Sequence, residues 1–262
     1  MLRTAPVDDV ATTPEIRASA LTAAGALAFY VHDDVDRAEA FWQKSLELRR
    51  EQDDPLAVGA TLSRLATVAW RRGDFDGAIA YHEQALLLFE RAGSDLLWIN
   101  EFHFLGEAYR DRGEIDEGER LLQKAVALAR ERGLDVQLTN TLHSLGDLAL
   151  DRVEPDAALA RFGEALELAL KGGSRRVQIY CIAGTASALA QRGDDRAAAR
   201  LWGIAQDQER QLGFRMLQTE RRRYEGLMAP VRERLADVYD AERRAGQGLT
   251  LEQAVGEARL YL

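Results

Sequence analysis

The stretch LATVAWRRGDFDGAIAYHEQAL, residues 65–86, has two counterparts further along the chain, spaced 40 residues apart. They are FLGEAYRDRGEIDEGERLLQKAV (104–126) and SLGDLALDRVEPDAALARFGEAL (144–166), which align with it without a gap. The same frame extends to residues 25–46 and 185–205. A fixed period of this length is typical of a repeat protein, and five copies fill the chain to about residue 213.

Each half of the repeat predicts one amphipathic helix. Apolar residues recur at i, i+3, i+4 and i+7, and no β-branched run interrupts them. Three positions of the frame hold only small residues, which allow two helices to approach closely. The sequence therefore predicts an all-α chain of five helix pairs. The small positions are Ala26, Ala66, Gly106, Gly146 and Ala186; Ala38, Ala78, Gly118, Ala158 and Ala198; and Ser45, Ala85, Ala125, Ala165 and Ala205.

Glycine marks the predicted helix ends in most copies. Because glycine accepts positive φ, it suits the left-handed residue that often follows a helix. In the fourth copy Val153 stands at this position, and a β-branched side chain resists that conformation. We therefore expect a different turn there, with Pro155 at the first position of the next helix. The turn glycines are Gly73, Gly113 and Gly193 inside repeats, and Gly93, Gly133, Gly173 and Gly213 between them.

The composition excludes several classes of protein. The 262 residues are 47% apolar and 29% charged, which excludes a disordered or collagen-like chain. The one cysteine, Cys181, cannot form an internal disulfide, and neither a signal segment nor a membrane span is recognisable. We therefore expect a cytoplasmic protein without membrane contact. The net charge of −9 argues against direct nucleic-acid binding, which needs clustered Lys and Arg.

The residues after the fifth copy do not follow the repeat. One long helix is predicted from Thr219, its N-cap, to about Arg244, with a kink at Pro230. A short helix is expected after Thr250, because the sequence TLEQ forms a capping box. The arginine triplet 221–223 is expected to be a solvated face, since acidic residues are interleaved with it.

These features divide the chain into three predicted parts. Residues 1–14 form an N-terminal extension, 15–213 hold five repeats, and 214–262 form helices that cap the fifth repeat. Some conspicuous side chains are expected to be structural, because they stand at packed positions of the frame. They are Trp42, His82, Cys181 and Trp202.

The repeat resembles the tetratricopeptide repeat, and LGEAYRDRGEIDEGERLLQKA (105–125) is a close match to its pattern. The usual period is about 34 residues, so each helix here would be nearly one turn longer. The resemblance implies a right-handed superhelix of five helix pairs, an α-solenoid with C-terminal capping helices. In such a fold the first helix of each pair lines the concave surface.

The series also resembles the C-terminal sensor region of bacterial transcriptional regulators, through RLWGIAQDQERQLGF (200–214) and GQGLTLEQAVGEA (246–258). Those regulators join an NB-ARC or STAND ATPase to such repeats, often with a LuxR-type DNA-binding domain. The sequence contains neither a GxxxxGK[ST] phosphate loop nor a recognisable helix-turn-helix pattern. The resemblance therefore implies a sensor or interaction module, and not the ATPase or the DNA reader.

Helical spacing predicts which side chains point into the concave surface. In the third and fourth copies an amide, an imidazole and a carboxylate recur at i, i+3 and i+7, as Asn100, His103 and Glu107 and as Asn140, His143 and Asp147. We expect them to form a stacked ladder that binds a ligand or partner. Neighbouring copies add Ser63, Arg64, Thr67 and Trp70 on one side, and Tyr180 and Ser187 on the other.

Three interpretations of this ladder stay open: a solvated face, a site for a small polar effector or an extended peptide, and a metal site. Converging donors and acceptors beside Trp70 and Tyr180 favour a ligand. His103 and His143 each precede a carboxylate by four residues, as in some metal sites. Without an HExxH motif, however, no metal and no cofactor is assigned.

The preferred function is a non-catalytic module that binds a protein or peptide segment, or a small polar effector, in its groove. A homo-oligomer also stays open. One rival is a co-chaperone-like scaffold for peptide ends, but a clamp for a terminal carboxylate needs cations where this groove carries Glu107 and Asp147. The other is a metal-dependent hydrolase, which needs a closed substrate site.

The first copy carries Ala20, Ala23 and Leu27 at the ladder positions, and this end is expected to be buried or docked on another domain.

Overall fold

The structure, a computed structural model, describes residues 13–262 and is helical, with no strand among these residues. Five helix pairs confirm the predicted all-α repeat. Their helices are α1 (Pro14–Tyr30), α2 (Val35–Glu51), α3 (Pro55–Arg71), α4 (Phe75–Arg91), α5 (Asp95–Arg112), α6 (Ile115–Arg132), α7 (Asp135–Asp151), α8 (Pro155–Lys171), α9 (Arg175–Arg192) and α10 (Asp195–Leu212). The tail adds α11 (Gln218–Leu235), a 3₁₀ turn (Ala236–Val238), α12 (Tyr239–Ala245) and α13 (Leu251–Arg259).

The chain forms two compact units, Met1–Leu121 and Leu122–Leu262. The first unit contains α1 to α5 and the start of α6, and the second contains the rest of α6 and all later helices. The predicted N-terminal extension lies outside the described residues except for Thr13 and Pro14. Thr13 Oγ1 accepts the N–H of Ile16 and so caps α1. Within residues 13–262, no helix combines the length and the apolar character that a bilayer crossing requires.

Large side chains fill the space that the small residues leave between helices. In the first unit Trp42 is fully buried against Phe29, and its Nε1 donates to the carbonyl of Thr22 at 3.1 Å. In the second unit the ring of Phe162 lies against both Gly146 of α7 and Gly184 of α9, where an added Cβ would overlap it. The frame therefore pairs a glycine or alanine on one helix with a bulky side chain on the next. The predictions of core positions for Trp42, Trp202 and Cys181 are confirmed.

The turns follow the glycine pattern, and all seven turn glycines have positive φ. The expectation of a different turn at Val153 is wrong. Val153 has φ +59°, and it repeats the hydrogen bonds of the Gly73 turn: Val153 N–H donates to Leu150 O, and the next N–H donates to Ala149 O. The helices on either side determine the turn geometry, so the valine accepts a strained conformation. Pro155 does begin α8, as expected.

The tail differs from the single long helix predicted for it. α11 begins at Gln218 rather than after Thr219, and it continues through Pro230 to Leu235. The break falls at Ala236, where φ is +45°, and α12 follows the 3₁₀ turn. Proline removes one backbone hydrogen bond but did not end this helix. The capping box at Thr250 is present, with Thr250 and Gln253 bonded reciprocally.

Candidate binding surface

In the first unit, α1, α3 and α5 present rows of side chains that solvent can reach. On α5 the row is Asn100, His103, Phe104 and Glu107; on α3 it includes Ser63, Arg64, Thr67 and Trp70; on α1 it is Ile16, Ala20, Ala23, Leu27 and Tyr30. We call these three rows the first-unit face. Its α1 row is apolar and exposed, with Leu27 at 56% and Tyr30 at 72%, so the expectation that this end is buried is wrong, while its docking on another domain stays a prediction.

Two side-chain hydrogen bonds join the α3 row to residues of α5 that stand outside its accessible row. Ser63 Oγ donates to Glu101 Oε1 at 2.7 Å, and Trp70 Nε1 donates to Asp111 Oδ2 at 2.8 Å. On α5 itself, His103 Nε2 lies 3.5 Å from Glu107 Oε2. The two hydrogen bonds hold α3 and α5 together, so both helices contribute polar and aromatic groups to the face.

Arg64 adds a cation beside the apolar row of α1. Its Nη1 donates to the carbonyl of Ala60 at 2.7 Å, which orients the guanidinium on α3. Burial lowers the pKa of the Arg64 guanidinium, and the nearby Tyr30 partly offsets that effect. The guanidinium stays charged, because an arginine side chain does not lose its proton in proteins.

Helical spacing did not predict the role of Glu101, which is a central polar residue of the first unit. It is almost fully buried, and its Oε2 accepts a 2.6 Å hydrogen bond from Nδ1 of His82 while its Oε1 accepts from Ser63. Glu101 thereby links α3, α4 and α5. Its counterparts in the repeat frame, Thr61, Thr141 and Cys181, are also buried, so this position of the frame faces inward.

The predicted role of His82 as a packed structural residue is confirmed. The accessible position of its neighbour Phe104 was not predicted. Phe104 stands four residues after Asn100, so the same spacing argument would have placed it in the row. Its ring stacks on the His82 imidazole with centroids 5.5 Å apart, yet its side chain remains 39% exposed. It offers an aromatic contact in the middle of the polar row.

In the second unit, α11 lies over the equivalent residues of α7 and α9. We call His143, Asp147 and Tyr180 the second-unit face. Tyr224 of α11 is fully buried; its hydroxyl donates to Asp147 Oδ1 at 2.9 Å and lies 3.1 Å from His143 Nε2. Since a tyrosine hydroxyl carries one proton, His143 must be the donor in the second bond. Burial, and then the charge of Asp147, raises the pKa of Tyr224 well above its ordinary value, so the hydroxyl keeps its proton.

The segment before α11 closes over Tyr180. The N–H of Leu217 donates to the Tyr180 hydroxyl at 3.1 Å, and Glu220 is close to the same hydroxyl. Burial chiefly, together with the Glu220 charge, raises the pKa of Tyr180. Four side chains of the predicted ladder surface are therefore buried in the second unit: His143, Asp147, Tyr180 and Ser187, whose Oγ donates to the carbonyl of Ala183 at 3.0 Å. Asn140 remains exposed.

The arginine triplet is not the solvated face that was expected. Arg223 lies 3.4 Å from Asp147 and 3.7 Å from Asp151, and Arg221 lies 2.5 Å from Glu209. Only Arg222 is exposed. Because the tail stands outside the repeat frame, its spacing contained no information about which carboxylates it would meet.

Neither histidine–carboxylate pair is part of a larger ligand cluster. Among residues 13–262 no group of three or more His, Cys, Asp and Glu side chains is arranged to hold a metal ion. Cys181 is fully buried in α9, and burial raises the pKa of its thiol far above the usual range, so the group is a poor nucleophile. The stacking of Asn100, His103 and Glu107 on Asn140, His143 and Asp147 stays a prediction.

Comparisons with known structures agree with this architecture. The chain is similar to the Rap conjugation gene regulator of plasmid pLS20, solved with the Phr* peptide, at 14% identity and a TM-score of 0.69, over 99% of this chain and 79% of the other. It is similar to aspartyl phosphate phosphatase F of Bacillus subtilis, at 12% identity and a TM-score of 0.66, over 94% and 71%. It is also similar to a putative kinesin light chain with TPR-like repeats from Podosopora anserina, at 16% identity and a TM-score of 0.58, over 75% of this chain and 98% of the other.

Identities this low show the fold alone, and no curated protein sequence matches the chain. The sequence itself matches the family profile described as tetratricopeptide repeat over residues 17–91 and 95–171. These two ranges cover more than half of the chain, and they coincide with α1–α4 and α5–α8. The chain belongs to the tetratricopeptide repeat family.

Proposed function

We propose that the chain is a non-catalytic interaction module that binds a protein or peptide segment on the first-unit face. The observation that carries this proposal is the exposed apolar row of α1 beside the polar rows of α3 and α5. Soluble proteins rarely leave a contiguous apolar row open unless it meets a partner. Here Leu27 and Tyr30 are more than half exposed.

The chemistry of the face suits a segment with two kinds of side chain. The row on α1 would take apolar side chains, while Asn100, His103 and Glu107 would bind backbone amides or polar groups. Arg64 would attract a carboxylate, and Phe104 and Trp70 would supply stacking area. A small polar effector is a weaker candidate, because it would leave the apolar row uncovered.

The structural comparison supports this proposal. The similar Rap conjugation gene regulator was solved with a peptide bound, so a related arrangement of helices accommodates a peptide in that protein. We further propose that the module serves as the sensor part of a transcriptional regulator of the NB-ARC or STAND type. That finer proposal rests on the sequence resemblance of residues 200–214 and 246–258.

A display experiment tests the binding proposal. Random peptides on phage are selected against the wild-type chain, and the dissociation constants of the selected peptides are measured by fluorescence anisotropy. We expect Arg64→Ala or His103→Ala to weaken binding about tenfold or more, which corresponds to about 1.4 kcal/mol. The matched control is Arg50→Ala, an exposed arginine on α2 outside the face.

Two results would reject the proposal. One is a set of peptides that bind the Arg64 and His103 variants as tightly as the wild type. The other is a wild-type chain that selects no peptide but forms a dimer lost in the Arg64 variant, which would make the face a contact between two copies.

A further inference from the structure

α11 lies on the second unit as a shallow element. Of its 18 residues only Tyr224, Met228 and Val231 are buried, and they form a single row at i, i+4 and i+7. Helix α9 beneath it is also 18 residues long and has fourteen buried residues. A helix held by one row resembles a ligand docked on a surface more than a member of the core.

The polar contacts of α11 are complementary in charge. The acidic groups belong to the repeats, as Asp147 and Asp151 on α7 and Glu209 on α10, and the cations Arg221 and Arg223 belong to α11. Between the two arginine contacts, Tyr224 inserts its hydroxyl between His143 and Asp147. This arrangement recognises a particular side-chain pattern, since each group of the helix meets a specific partner on the repeats.

The connection at the C-terminal end allows α11 to be released separately from the rest of the tail, once the contacts of Leu217 with Tyr180 and of Met216 with Glu209 at its N-terminal end are broken. Its C-terminal end is a strained joint, because Ala236 has φ +45°. Beyond that joint the tail has its own anchors on α10: Gln208 Nε2 donates to the carbonyl of Leu249 at 2.8 Å, and Arg200 pairs with Glu257 at 2.9 Å. Release of α11 would still have to break the ion pair between Arg234 and Asp195.

We propose that the second-unit face is a second binding surface, that α11 occupies it as a tethered ligand, and that a helical segment of another protein with the same side-chain pattern competes for it. The pattern consists of a tyrosine, arginines one and three residues before it, and apolar residues four and seven residues after it. These are the positions of Tyr224, Arg223, Arg221, Met228 and Val231. Tethering gives α11 a high effective concentration, so the external partner binds only when α11 is loosened.

The test uses the full chain and a fluorescent synthetic peptide of residues 217–235. In the acceptor variant Arg223→Ala/Tyr224→Ala, the chain's own α11 is weakened while His143, Asp147 and Asp151 are kept. We expect this variant to bind the peptide about tenfold or more tightly than the wild type does. Adding Asp147→Asn to the acceptor should abolish the gain, and a peptide carrying Tyr224→Ala should bind neither chain.

Each other outcome overturns the proposal. A folded acceptor that binds the peptide no better than the wild type would show that the face does not accept a ligand in trans. An acceptor that loses its helical circular dichroism would show that α11 is part of the core and is not an occupant. A dimer formed by the acceptor and lost with Asp147→Asn would replace the external partner with α11 of a second copy.

This surface is distinct from the first-unit face, so the two proposals can fail separately. Arg64→Ala should leave the binding of the 217–235 peptide unchanged, and Asp147→Asn should leave the phage-selected peptides unaffected.

Discussion

The hydroxyl of Tyr224 donates a 2.9 Å hydrogen bond to Asp147 Oδ1, joining α11 to α7 across 77 positions of the chain. Tyr224 is fully buried and Asp147 nearly so, and the same hydroxyl accepts a hydrogen bond from His143. A buried carboxylate is tolerated when its oxygens have donors, and here Tyr224 and Arg223 supply them. The contact therefore fixes the position of the tail on the repeats.

Tyr224→Phe should lower the free energy of unfolding by about 1–3 kcal/mol. The ring and its packing are kept, but Asp147 loses a buried donor and His143 loses an acceptor. Chemical denaturation monitored by circular dichroism measures the change. Tyr30→Phe is the matched control, because Tyr30 is exposed and should change stability by less than about 0.5 kcal/mol. Equal effects of the two substitutions would mean that the Tyr224 hydroxyl makes no stabilising contact.

The free energy of unfolding should fall in alkaline solution. Burial raises the pKa of Tyr180 and Tyr224, so these side chains keep their protons in the folded state when unfolded tyrosine begins to lose them. The folded state then binds more protons than the unfolded state, and stability decreases as the pH rises above about 10, the ordinary tyrosine value. Cys181 acts in the same direction from about pH 8.5 upward.

Denaturation curves recorded between pH 8 and 11 measure this dependence. The Tyr224→Phe variant has lost one of the titrating groups, so its stability should fall less steeply above about pH 10 than that of the wild type. Identical slopes for the two proteins would refute the account of Tyr224.

Val153→Gly should raise the free energy of unfolding by about 1 kcal/mol. A left-handed non-glycine residue costs about 1–2 kcal/mol, which exceeds the entropy that a glycine adds to the unfolded chain. Val153 is 67% exposed, so the substitution removes little packing. The reverse change at the equivalent turn, Gly73→Val, should lower stability by a similar amount. An added Cβ at Gly73 meets no other atom within 4 Å, so the substitution adds backbone strain without a steric clash at Cβ. Stabilisation by both changes, or by neither, would contradict the strain at Val153.

Glu101→Ala should cost about 2–4 kcal/mol of stability. The substitution leaves His82 buried without its 2.6 Å partner and also removes the acceptor of Ser63. Glu107→Ala, on the same helix but partly exposed beside His103, should cost less than about 1 kcal/mol. Thermal denaturation of both variants gives the comparison, and a loss at Glu107 as large as that at Glu101 would be inconsistent with it.

Repeat spacing predicted most of the helical architecture, because each copy repeats the same local constraints. The turns at Gly73 and the other six turn glycines depend on neighbours within a few residues, as does the capping box at Thr250. Both features were therefore predictable. Val153 was mispredicted because a local preference of about 1–2 kcal/mol is small beside the packing of the two helices that it joins.

The candidate site was predictable only in part. Helical spacing predicts that Asn100, His103 and Glu107 share one side of α5, and all three are partly accessible, while their role in binding stays a prediction. It could not show that His143 and Asp147 would be covered, since their cover is Tyr224, a residue outside the frame and distant in sequence. Spacing along one helix determines which residues share a face, whereas the element that packs on that face depends on the tertiary fold.

Hydroxyl-radical footprinting read by mass spectrometry tests the central claim most directly, namely that the first-unit face is open and the second-unit face is covered by α11. Tyr30 and Phe104 are 72% and 39% exposed, and Tyr224 is fully buried. The account predicts rapid modification of Tyr30 and Phe104 and protection of Tyr224 in the folded chain. Modification of Tyr224 as fast as that of Tyr30 would contradict it.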